Sequence, residues 1–248
     1  MRVDTKRSAG KSWKDHIVDN ATFWNERYRR FPQLGSGPGS RGYAASYKNA
    51  LVKEVMIRHD VRSIVDIGCG DLCWLDQEIL EGCRYVGLDV STVAVERARA
   101  AYPSLQFAAF DVTAQPVGLE GDLVVSFDVL IHQIDIRSFQ AALGNTLAAI
   151  GKIGLVSYTT PPMMDGSFPP PATLDPTAAG AAEILSERRF QEMITGKLPS
   201  DFPRAETTFH EPLPVAVAAT RPDVEISIAG RYRYQTVYAI RAPVTAER

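Results

Sequence analysis

The sequence predicts an α/β protein: a doubly wound sheet of about seven strands, mostly parallel with an antiparallel C-terminal hairpin strand, plus N-terminal helices and a small cap. Three observations carry that expectation. From Ser63 onward, short β-branched runs alternate with helical stretches, as in a parallel sheet covered by helices. The run Val65-Asp66-Ile67-Gly68-Cys69-Gly70-Asp71 ends a strand in two glycines one residue apart, and Asp89 tips the next strand about 20 residues on. Two β-rich runs close the chain, and an antiparallel last strand beside a parallel sheet separates this pattern from an ordinary dinucleotide fold.

In chain order, Trp13 to Arg30 and Tyr43 to His59 carry apolar residues at helical spacing, with Ala44, Tyr47, Leu51 and Val55 in one stripe. The glycine-serine linker between them, Gly35 to Gly42, is either flexible or folded over a ligand. Strands are expected at Ser63 to Ile67, Arg84 to Asp89, Leu105 to Phe110, Leu123 to Phe127 and Lys152 to Tyr158. Helices are expected at Leu72 to Leu80, Thr92 to Ala101 (capped by Ser91) and Ile136 to Ile150. Prolines from Pro161 to Pro171 exclude helix and central strand and imply a loop or lid. A helix over Ala179 to Thr195 follows, then an irregular passage from Pro199 to Pro214. Val224 to Ile228, a turn at Gly230 and Tyr234 to Ile240 read as the terminal hairpin. The parts are thus N-terminal helices and lid (1–60), cofactor-binding core (61–160), cap or substrate-binding insertion (161–222) and closing hairpin (223–248).

At 248 residues, with 45% apolar and 23% charged, the chain suits one domain with a full core. A net charge of -2 and the lack of a basic block speak against a nucleic-acid backbone as partner and leave small-molecule or carbohydrate substrates. Cys69, Cys73 and Cys83 are an odd set without a nearby histidine, so they read as reduced packing residues and no metal site is expected. The polar N-terminus lacks a signal-peptide core and no run reaches membrane-spanning length, so the expected location is cytoplasmic.

Candidate site residues cluster where strands end. Gly68, Cys69 and Gly70 let a ligand approach bare backbone. Asp66, costly in an apolar strand without a partner, suits the amino group of a bound methionine moiety; otherwise it caps a helix or anchors loop amides. Asp89, followed by Val90, is placed for both ribose hydroxyls. Asp111 beside Val112 suits the exocyclic amine of adenine, or is a turn aspartate. Cys73 stands where a dinucleotide fingerprint needs a third small residue, which disfavours NAD, and the two further acids, Asp66 and Asp111, favour S-adenosylmethionine (SAM). Phe127 and its neighbours at the end of the fourth strand border the cofactor. If a helix begins there, Asp128 and His132 share a face, the carboxylate orients the imidazole, and His132 is the candidate general base; the alternative is a histidine that only ties the loop down. His16 and His59 read as surface residues, and His210 beside Glu211 as a weaker alternative base.

With these residues in view, the chain resembles the class I SAM-dependent methyltransferases, which have a Rossmann-like fold. The resemblance rests on Val65 to Asp71, Gly87 to Ser91, Phe110-Asp111 and Asp122 to His132. Phe23 to Tyr28, Ser36 to Ser40 and Lys48 resemble small bacterial methyltransferases associated with glycan or polysaccharide modification. The resemblance implies that the glycine loop holds the methionine part, Asp89 the ribose and Asp111 or its neighbours the adenine. It also implies that the fourth strand flanks the sulfonium and that Tyr28 and Ser40, with the linker, close over the cofactor. The expected reaction is direct in-line transfer of a methyl group to a hydroxyl of a sugar or small polar metabolite, leaving S-adenosyl-L-homocysteine (SAH). Two other readings are an NAD-linked oxidoreductase, disfavoured by Cys73 and the hairpin, and a SAM-binding protein without catalysis. The fourth strand lacks an N-P-P-Y motif, which disfavours nucleic-acid bases as acceptors.

Overall fold

A computed structural model describes residues 19–160, 208–233 and 235–243. Seven strands form one sheet in the order β3-β2-β1-β4-β5-β7-β6. They are β1 (Ser63–Ile67), β2 (Arg84–Asp89), β3 (Gln106–Ala109), β4 (Gly121–Ser126), β5 (Ile150–Thr159), β6 (Glu225–Tyr232) and β7 (Gln235–Arg241). The first five pair in parallel, whereas β7 runs antiparallel to both β5 and β6. Every residue of β1 is buried, as a central strand covered on both faces requires. The chain order reverses between β1 and β4, so their carboxyl ends flank the crevice where ligands of such sheets bind.

Helices cover the two faces. On one side lie α2 (Gly42–Arg58) and α3 (Thr92–Ala101), whose Tyr47, Leu51, Val55, Val95 and Ala98 pack with Ile64, Leu123 and Leu155. On the other, α4 (Ile136–Ala148) and α5 (Leu213–Thr220) bring Phe139, Leu143 and Val217 against Val65, Val124 and Val156. The first helix, α1 (Asn20–Arg30), starts where Asp19 accepts a 2.8 Å hydrogen bond from the Thr22 amide. Ser91 caps α3 as expected, accepting from the Ala94 amide at 3.1 Å.

Three expectations need correction. No α-helix covers Leu72 to Leu80: turns lead into a 3₁₀ helix at Gln77–Leu80. Leu72, Trp74 and Leu75 are all buried, a spacing that no single helix face provides, and Leu72 takes φ 58°. Asn49 on α2 replaces the missing ladder, donating to the Trp74 carbonyl at 2.6 Å and accepting from the Asp76 amide at 2.8 Å. Gly230 is not the hairpin turn; it lies inside β6 at a register irregularity, and the chain reverses around Arg233. The segment 213–220, given no structure from sequence beyond an irregular approach, forms α5. His16, the first-helix residues before position 19, Pro161 to Pro171, the helix expected over 179–195, the passage before position 208 and Tyr234 lie outside the described residues.

Candidate active site

The glycine loop is shaped by what packs on it. Gly68 and Gly70 have φ of 80° and 60°, the left-handed region that glycine enters without penalty. A Cβ at Gly68 would overlap the Val129 side chain, and one at Gly70 would overlap the Ser36 hydroxyl. The loop after β1 is thereby gripped by the loop after β4 on one side and by the glycine-serine linker on the other. Cys69 is buried over Gly87 of β2, its thiol directed at the Gly70 carbonyl at 3.6 Å.

Asp89 at the end of β2 is tied to this loop. Its two oxygens accept from the Gly70 amide at 2.9 Å and the Ser91 amide at 2.7 Å. A carboxylate has about four acceptor positions, so capacity remains for ligand hydroxyls. Burial pushes its pKa up to about 6 against those two amide bonds. Asp66 is 1% exposed and accepts a 2.8 Å hydrogen bond from the Tyr85 hydroxyl. Burial lifts its pKa to about 7, opposed by that hydrogen bond and by the Lys48 charge. Asp111 is exposed and folded onto its own turn, accepting from the Thr113 amide at 2.8 Å and the Thr113 hydroxyl at 2.7 Å. Neighbouring Val112 is buried, and its carbonyl accepts from Asn145 of α4 at 2.7 Å. Val90 is half-buried between Asp89 and Ser91.

The N-terminal layer closes the crevice from outside. The Tyr28 and Ser36 hydroxyls share a 2.7 Å hydrogen bond, and Ser36 donates onward to Asp71 at 2.8 Å. Because the single Ser36 proton goes to Asp71, the Tyr28 hydroxyl is the donor to Ser36. Arg97 of α3 donates to the Tyr28 carbonyl at 2.6 Å. Ser40 is buried in a 3₁₀ turn, Pro38–Ser40, and its carbonyl receives the Cys73 thiol at 3.6 Å.

At the end of β4 the structure departs from the expected helix. Asp128 takes φ 60°, and only a 3₁₀ turn, Leu130–His132, follows, so the Asp128 and His132 pair is not set by a shared α-helical face. The Asp128 carboxylate is held by Lys48, at 2.5 Å, and by Gln235, while its amide donates to Ser157 at 2.8 Å. Burial alone would raise this carboxyl; the charge and hydrogen bond of Lys48, the hydrogen bond of Gln235 and the His132 charge outweigh it and hold it below the usual carboxylate range. His132 is half-buried with its ring 5.4 Å from that of Trp24 on α1. Phe127 packs edge-on against Trp74 and Tyr232. His210 is a clamp: its Nε2 donates to the Gln133 carbonyl at 2.9 Å and its amide to the Tyr158 hydroxyl at 2.8 Å.

Lys48, Gln235, Ser157 and Tyr232 gained no role from the residue pattern itself. The signal for Lys48 was available: positions 44, 48, 51 and 55 share one helical face, and a lysine on a buried face must have a partner. Ser36 and Asp71 were in view only as parts of longer motifs.

A family model described as a methyltransferase domain matches residues 65–153, from β1 to β5. This stretch is a methyltransferase domain. The fold is that of the class I methyltransferases, and the glycine loop and Asp89 fit SAM. The match favours a methyltransferase over the NAD-linked reading. Comparison with the curated proteins gives no match. Among solved structures, the magnesium protoporphyrin IX methyltransferase of Synechocystis PCC 6803 with bound SAH is 14% identical, with a TM-score of 0.57 over 90% of this chain and 98% of that one. DesVI of Streptomyces venezuelae is 17% identical, with a TM-score of 0.52 over 92% and 100%. The N-methyltransferase NodS of Bradyrhizobium japonicum WM9 with SAH is 12% identical, with a TM-score of 0.50 over 93% and 96%. At these identities the likeness is one of fold. Among the described residues, no helix is long and apolar enough to cross a membrane and no group of three His, Cys, Asp or Glu is placed to hold a metal ion.

Proposed function

We propose that this enzyme methylates a hydroxyl of a sugar or small polar metabolite, with His132 as general base and Asp128 as a positioning residue. The observation that carries the reading is the grip of Val129 on Gly68: it sets the loop bearing Asp128 and His132 directly against the cofactor loop. SAM, when bound, supplies an electrophilic methyl group. Asp89 would hold the ribose through its remaining lone pairs, Asp66 the amino group, Gly68, Cys69 and Gly70 the amino-acid tail, and Asp111 with Val112 the adenine. Tyr28, Ser40 and Phe127 would exclude water along the crevice. A hydroxyl becomes a better nucleophile as its proton leaves, and a positioned imidazole typically contributes about 100- to 10,000-fold. The near-neutral charge, -2, favours an uncharged carbohydrate or metabolite over a nucleic acid. The resemblance of the N-terminal segment to glycan-modifying enzymes points the same way.

The test is calorimetry with SAM, SAH and NAD, followed by a methyl-transfer screen of deoxysugars and glycans. Asp89→Ala should abolish micromolar SAM binding, and His132→Ala should cut turnover at least about 100-fold with SAM affinity retained. Full turnover by the histidine variant defeats the base assignment, and transfer only to amines defeats the hydroxyl reading.

A further inference from the structure

We propose that the Lys48–Asp128 ion pair sets the charge selectivity of the cofactor site, the Lys48 ammonium filling a cation cage beside the glycine loop and thereby weakening SAM relative to SAH. The inference rests on the SAM site described above and adds to it a residue from outside the matched domain.

The cage is built from four elements. Lys48 is 1% exposed, and its Nζ lies 5.0 Å from the ring centroid of Tyr232, 5.2 Å from Phe127 and 5.8 Å from Trp74. Its hydrogen bond to Asp128 is 2.5 Å long. A carboxylate with three aromatic faces is a set of groups that attracts a cation. Here the cation belongs to the chain. The remaining groups serve the carboxylate: Gln235 donates to its second oxygen, Ser157 donates to Gln235 at 2.7 Å, and Tyr232 donates to Ser157 at 3.2 Å.

Two contacts, the strand order and a charge influence put this pair at the cofactor loop rather than in remote core. Asp128 leaves the carboxyl end of β4, next to β1 in the sheet. Val129, the next residue, packs on Gly68. Gly39 of the linker sits over the carboxylate, where a Cβ would come within 2.7 Å of Asp128 Oδ2. The Lys48 charge is also felt by Asp66, two residues before Gly68.

Charge arithmetic then gives the selectivity. SAM carries a sulfonium, and SAH in its place carries a neutral thioether. With Lys48 present, Asp128 is neutralised and has no attraction left for a second cation. Without Lys48, burial raises the Asp128 carboxyl; on the alkaline side, where it is ionised, it stands uncompensated at the site, and the cationic ligand gains where the neutral one does not. At the effective dielectric of a partly wet site, one unit charge across several ångströms is worth roughly tenfold in binding. A pair that only fastens α2 to β4 would move both affinities together, so the ratio separates the two roles.

The experiment is calorimetry of SAM and SAH on the full chain, comparing wild type, Lys48→Met, Asp128→Asn and the double variant. Lys48→Met should shift the SAM-to-SAH affinity ratio toward SAM by roughly tenfold. Asp128→Asn, which strands the ammonium, should shift it the opposite way, and the double variant should return near wild type. If Lys48→Met fails to fold, the opposite shift in Asp128→Asn carries the test alone. An unchanged ratio in the folded single variants overturns the inference with the cofactor site intact. Binding of neither ligand by wild type would instead overturn the SAM site itself.

Discussion

Asp66 shows how a single residue at this site is held at a cost to the fold. Its ordinary pKa of 3.8 rises to about 7 in the folded chain because burial disfavours the charge more than Tyr85 and Lys48 favour it. Between those values the folded state binds a proton that the unfolded state has released, so stability falls as pH rises through this window. The stabilising contribution is complete below pH 3.8 and gone above about 7. Asp66→Asn removes the titration while leaving an oxygen to accept from Tyr85. The variant should therefore unfold at higher urea than wild type at pH 8, by at most a few kcal/mol, and gain nothing at pH 4. Equal gains at both values would mean that the effect is packing, not charge. SAM binding should weaken in the same variant, because an amide lacks the charge that the ligand's amino group would meet.

At the scale of elements, what the sequence left illegible is where tertiary contacts replace local rules. Gly230 looked like a hairpin turn because glycine between two β-rich runs has that meaning locally. Its actual cause lies on another element: a Cβ there would overlap the hydroxyl of Tyr47 on α2, so the glycine makes room for a helix crossing β6. Gly230→Ala should then cost about 1–3 kcal/mol, and less in a Tyr47→Phe background, since the overlapping atom is gone. Additive costs in a denaturant-melt cycle would sink this account. The absent helix after β1 has a similar origin, because Asn49 satisfies the loop backbone from α2, some 25 residues earlier in the chain. By contrast, α3 was read to the residue, because its signals (the Ser91 cap and an alanine-rich run) are local. Asp128 and His132 fell between these cases: the sequence set both just after the fourth strand, but the αL turn at Asp128 is held by Lys48 and Gln235, which lie far off in sequence.

For the whole molecule, the parallel core and closing hairpin were legible from alternating runs, whereas the docking of the N-terminal layer was not, because its anchors are single polar residues. Asn25 is the chief one. Its Oδ1 accepts from the Ser91 hydroxyl at 2.9 Å, the Thr92 hydroxyl at 3.2 Å and the Val93 amide at 3.1 Å, so α1 helps to cap the N-terminus of α3. Ser91 in turn donates its amide to Asp89. The layer that carries Tyr28 and Ser36 over the glycine loop is thus fastened to the same turn that orients the proposed ribose acid. Asn25→Ala cuts this link without opening either core, and a lost cap costs about 1 kcal/mol. Its larger consequence should be local: α1 should lose amide-exchange protection, as a weakly held peripheral element does, while β1 and β4 keep theirs. SAM affinity should fall roughly in proportion to the fraction of chains with α1 released, because a site that must first re-dock its cover binds with only its competent fraction. Protection lost in α1 with SAM affinity unchanged would show that the layer covers the crevice without contributing to cofactor binding.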